Sequence, residues 1–169
     1  MTRPDPSEHA PYFSRYIDLV PEEDVVTALT AQSDETQKLL ASLDEERAAH
    51  RYAPDKWSIK GVIGHVADGE RIFGYRLLAI ARGEKTSLPG FDENEYAESA
   101  HFDRWSLRDL AESLAASRRA NLLIMRNLSD DDWNRRGVAN NNATSARALA
   151  FTMLGHERHH LKVLRERYL

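Results

Sequence analysis

The chain has 169 residues, no cysteine and a formal net charge of −4. That length supports one buried core without disulfide or metal staples, and the missing cysteines leave His, Asp, Glu and Ser/Thr to carry any chemistry. An acidic balance supplies no basic field for a phosphate backbone, so nucleic acid is not an expected partner.

Residues 1–11 hold Arg3, Asp5 and Glu8 and lack an apolar run suited to a signal-peptide core. No later segment reaches the ~20 apolar residues that span a bilayer. A cytoplasmic protein with no membrane partner is expected.

In chain order, Pro4, Pro6 and Pro11 precede Tyr12, Phe13 and Tyr16. This predicts an irregular N-terminal arm over residues 1–20, its aromatics laid across the body, and a single domain over residues 21–169. Pro21 followed by Glu22, Glu23 and Asp24 marks a helix start. Val25, Leu29, Thr36, Leu39, Leu40 and Leu43 carry that first helix to about Arg47. After Pro54, Ser58 caps a second helix. Its stripe is Ile59, Val62, Ile63, Val66, Phe73, Leu77 and Ile80, with His65 at the edge. Residues 83–104 are expected as a long loop whose Phe91, Asp92 and Tyr96 either line the mouth of a site or pack over the end of the bundle. Ser106 and Asp109 open a third helix through Leu110, Leu114 and Met125. Ser129 to Trp133 adds a helical turn, residues 137–144 read as a polar loop, and a fourth helix runs from Ser145 to Tyr168. No run alternates as a strand does, so the predicted fold is all-α, a four-helix bundle with sites between facing helices.

His156-Glu157-Arg158-His159-His160 matches H-E-x-x-H, in which two histidines four apart share one helix face and the glutamate is a general base. A zinc peptidase of that kind needs a third ligand downstream. Here Val163 and Glu166 stand where a glycine and a histidine would be, and the ligand must come from upstream. His9 falls in the arm, His50 at a helix end and His101 in a loop, so His65 is the candidate. If the second and fourth helices are neighbours, His65, His156 and His160 form a three-nitrogen site with positions open to water or substrate. His159 stands at the margin of that face. Arg76, three turns along from His65, is placed either for an ordinary salt bridge or to hold a substrate carboxylate.

Three stretches resemble the DinB-like (DinB/YfiT) superfamily. They are Trp57-Ser58-Ile59-Lys60 with Gly64-His65-Val66-Ala67-Asp68-Gly69-Glu70, Leu88-Pro89-Gly90-Phe91-Asp92 with Tyr96, and Gly155-His156-Glu157-Arg158-His159-His160-Leu161. The resemblance implies a DinB/YfiT-like four-helix bundle, often a homodimer, with a divalent ion, zinc or nickel, on His65, His156 and His160. It further implies an enzyme that is a thiol-dependent S-transferase, with a low-molecular-weight thiol as cosubstrate, or a hydrolase of small molecules. The ion is expected to act as a Lewis acid toward a thiol or water, an exogenous nucleophile in keeping with the absent cysteine. Glu157 and Asp68 are the candidates to orient imidazoles or act as a catalytic base, unless they are surface acids. The rival from a different class is a non-catalytic metal-stabilised stress or interaction protein.

Overall fold

The computed structural model describes residues 2–169, and four long helices carry it. The elements in chain order are α1 (Ser14–Ile17), α2 (Val25–Ala41), α3 (Glu45–Ala48), α4 (Ile59–Ala81), α5 (Glu93–Ala100), α6 (Leu107–Met125) and α7 (Asp130–Asn134). The strands β1 (Arg136–Ala139) and β2 (Asn142–Ser145) follow, and then α8 (Ala146–Arg167). Helix α4 packs on α8 and α6, α2 packs on α6 and α8, and α1 lies on α8. The expected all-α four-helix bundle is therefore observed, with a two-stranded addition.

Serine caps set three of the four long helices. Ser58, Ser106 and Ser145 each accept a hydrogen bond from the backbone N–H three residues on, which satisfies one of the amides orphaned at a helix start. The first long helix differs from expectation. It begins at Val25 rather than Pro21, because the Asp24 side chain accepts from Thr27 N–H. It ends at Ala41, and Asp44 caps the separate turn α3. The expected loop over residues 83–104 contains α5, capped by Asp92.

The expected polar loop over residues 137–144 is a β-hairpin with Arg136 opposite Ser145 and Ala139 opposite Asn142. Its turn residues, Asn140 and Asn141, have φ of 51° and 60°. A two-residue hairpin of this hand needs positive φ at both positions, and asparagine tolerates it. Leu88 exchanges backbone hydrogen bonds with Val138 and Asn140, tying the segment before α5 to the hairpin.

Among the described residues two large apolar clusters fill most of the bundle, with a small third of Val66, Ala67 and Leu114. One large cluster holds Leu29, Phe73, Leu77, Phe151 and Leu154, and the other Leu40, Ile59, Ile63, Leu110, Leu161 and Leu164. Between them along each helix lies a polar layer centred on Arg118, which is 1% exposed. Its guanidinium makes two 2.8 Å bonds to Glu70 and one of 2.7 Å to Glu157. Gln32 and Thr36 donate to Glu157, and Asn121 donates to Glu70. All four long helices thus contribute to one closed network, the condition under which buried charge is tolerated.

The arm is ordered as two short 3-10 turns and α1. Buried Glu8 accepts from Ser145 and Arg147 at the start of α8, each at 2.7 Å. Among the described residues no helix is long and apolar enough to cross a membrane.

Candidate metal centre

Helix α4 supplies His65 and α8 supplies His156 and His160, one turn apart on the face turned to α4. Gly69, one turn after His65, makes room for this approach, since a Cβ there would stand 3.0 Å from Cε1 of His156. The ligating nitrogens of the three histidines all lie within 4.8 Å of one another. Nε2 of His65 is 3.0 Å from Nε2 of His156. Nε2 of His160 is buried with no hydrogen-bond partner.

Burial disfavours the charged imidazolium here. It pushes His65 down to about 4 and His160 to about 3, and holds His156 well below the usual value, with the neighbouring histidines adding to the effect on the two α8 residues. All three rings are therefore neutral near pH 7, as metal ligation requires. An unpaired buried nitrogen costs free energy unless it finds a partner. A cation between the rings supplies one, and a three-imidazole donor set suits a divalent transition metal.

The histidines line a cavity of about 450 Å³. Its walls include Tyr12, Phe13 and Tyr16 from the arm, Trp57, Phe73 and Phe91. Tyr16 meets His156 and His159 edge-on with ring centroids 5.3 and 5.5 Å apart. Phe73 packs on His156 at 5.5 Å, and Trp57 lies 5.0 Å from His65. The arm, whose role was not evident from composition, is one wall of the site. Its sequence signal was the aromatic set at positions 12, 13 and 16.

The structure brings His65, His156 and His160 together and places the other candidates differently. Glu157 is 1% exposed and absent from the cavity lining. Its oxygens accept from Thr36 at 2.5 Å, Gln32 at 2.8 Å and Arg118 at 2.7 Å, so the carboxylate is engaged in the polar layer of the bundle. Asp68 lies 3.9 Å from Arg71 and also does not line the cavity; burial raises its pKa. Phe91 lines the cavity and packs at a tilt against Tyr96, whereas Asp92 is occupied as the α5 cap. His159 lines the cavity and its pKa is lowered, mainly by burial.

A profile of the DinB superfamily matches residues 28–164. The chain belongs to the DinB superfamily. Among solved structures, this DinB-superfamily chain is similar to YfiT from Bacillus subtilis, described as a probable metal-dependent hydrolase with an unusual four-helix bundle topology. The TM-score is 0.71 at 15% identity, covering 96% of this chain and 91% of YfiT. A mycothiol-dependent maleylpyruvate isomerase is similar at a TM-score of 0.66 and 17% identity, covering 86% of this chain and 61% of the isomerase. At these identities the likeness shows the shared fold. No curated protein matches the chain by sequence.

Proposed function

We propose that the chain is a metal-dependent enzyme acting on a small molecule, with a divalent ion held by His65, His156 and His160. One observation carries this reading: three neutral imidazoles, two of them buried and that of His160 half-buried, converge at the wall of a cavity of about 450 Å³, and the buried Nε2 of His160 has no protein partner. Bound there, the ion would supply Lewis acidity, lowering the pKa of a thiol or of water. The protein's own part is to hold the rings in place and to pack aromatic side chains around them. Tyr16, Trp57 and Phe73 brace the imidazoles and exclude water from their flanks. His159, neutral and partly exposed in the cavity wall, is placed to accept a proton released on that side.

Within this reading we favour thiol-dependent S-transfer over hydrolysis. The chain has no cysteine of its own, and a mycothiol-dependent isomerase shares its fold. A purely structural ion is disfavoured because the Arg118 network already joins the four helices without it, and because the imidazoles border a cavity rather than a filled core. The test is to purify the protein with its native metal and assay monochlorobimane conjugation with bacillithiol, mycothiol and glutathione, and ester hydrolysis, before and after chelation. A rate lost on chelation and restored by a divalent ion is expected. Identical rates for loaded and stripped protein with every thiol and ester would contradict the reading.

A further inference from the structure

Among the described residues three lysine or arginine side chains are buried: Lys60, Arg76 and Arg118, with 8%, 5% and 1% exposure. Arg118 is neutralised by Glu70 and Glu157, and Lys60 by Glu45. Among the described residues Arg76 has no carboxylate within 4.0 Å. Its guanidinium donates one hydrogen bond, of 2.6 Å, to the Pro89 carbonyl, and lies 5.9 Å from the centre of the Phe91 ring. The salt bridge that a surface arginine would make is missing. Burying a cation without an anion is costly, and burial alone lowers its pKa.

Arg76 also lines the cavity that holds the histidines. Eleven residues separate it from His65, which places it on the same face of α4 about 16 Å along the helix axis. Between them on that face stand Gly69 and Phe73, so the cavity runs from imidazoles past an aromatic ring to a guanidinium. The other charged groups lining it are Arg15, whose guanidinium donates to Tyr12 and Tyr16, and Glu93. Two arginines against one carboxylate leave the wall cationic before any metal ion is counted.

We propose that the end of this cavity remote from the histidines is a carboxylate subsite built on Arg76, so that the molecule bound there carries an anionic group away from its reacting atom. An arginine fork can take a carboxylate through paired hydrogen bonds, and the donors not used by Pro89 are free to do so. The inference rests on the proposed metal-dependent reading only for which end reacts. The carboxylate can belong either to the thiol or to its electrophilic partner.

The test begins with chelator-treated protein, titrated with hexanoate and with hexan-1-ol and followed by ligand-observed NMR. No ion is then present to attract the acid. Hexanoate should bind about tenfold or more tightly than the alcohol, as expected for a charge-assisted hydrogen bond. Arg76→Gln should erase the difference, and Arg76→Lys should retain most of it, with circular dichroism checking the fold of each. Equal binding of acid and alcohol by the native chain overturns the subsite, even where Arg76→Gln fails to fold. So does a preference that survives Arg76→Gln. A second arm uses metal-loaded protein with 6-mercaptohexanoate and 6-mercaptohexan-1-ol. A gain for the mercapto acid assigns the carboxylate to the thiol, and simultaneous binding of hexanoate and the mercapto alcohol assigns it to the electrophile. Failure of the protein to take up metal would defeat the proposed function while leaving the first arm decisive for the subsite.

Discussion

Gly155 of α8 lies directly against the backbone of Tyr16, so that a Cβ at position 155 would stand 2.0 Å from the Tyr16 carbonyl oxygen. Backbone cannot swing aside as a side chain does. The glycine therefore lets the arm sit close enough for Tyr16 to brace His156, the next residue along α8. Gly155→Ala should destabilise the protein by about 1–3 kcal/mol through overpacking. Urea unfolding checks the magnitude, and limited proteolysis should show faster cutting within residues 2–20. Unchanged stability and unchanged cutting would show that the arm does not depend on this contact.

The partners of Glu157 lead to a separate expectation. Removing one member of a buried, fully paired charge cluster leaves its partner uncompensated, so Glu157→Ala should cost about 3–5 kcal/mol. Metal content per folded chain, measured in the cold where the variant remains folded, should be unchanged. A base acting on substrate would show the reverse pattern, with activity lost and stability kept. Thermal unfolding and turnover measured on the same preparation separate the two.

Glu8 gives the pH dependence. Although burial raises its pKa, the hydrogen bonds and charge of Arg147, with Asp5 N–H and Ser145, outweigh that and lower it from 4.5 to about 2. The folded state thus favours the carboxylate, so the stability that Glu8 contributes is complete above about pH 4.5 and is lost as pH falls toward 2. Glu8→Gln should lower the urea midpoint at pH 7, and its deficit against the native chain should shrink steadily between pH 4.5 and pH 2. A deficit that stays constant across that window would remove Glu8 as the source.

Much of the fold was legible because its signals are local. Ser58, Ser106 and Ser145 announce three helix starts, and the i, i+4 spacing of His156 and His160 fixes their shared face. Local signals also competed. Pro21 and the acids after it promise a helix start, yet the Asp24 carboxylate decides the start one turn later. The hairpin escaped because strands of four residues are too short to show alternation, although the paired asparagines carried its turn. What the sequence could not show is register between helices. Arg118 is on α6 and its acids are on α4 and α8, so the pairing of Glu157 with it was not legible in the sequence. Tyr16 gave no sign of facing His156, 140 residues later in the chain. The exposure and pairing of Arg76 were likewise open until its neighbours were in place.

The central claim is that His65, brought from α4 to the two histidines of α8, completes a metal site. Its most direct test is metal stoichiometry by mass spectrometry after dialysis against zinc or nickel, for the native chain and His65→Ala, with circular dichroism confirming the fold of both. One ion per native chain, and a fall to near zero in folded His65→Ala, is the predicted result. An unchanged ion content in His65→Ala, or no ion in the native chain, would contradict it.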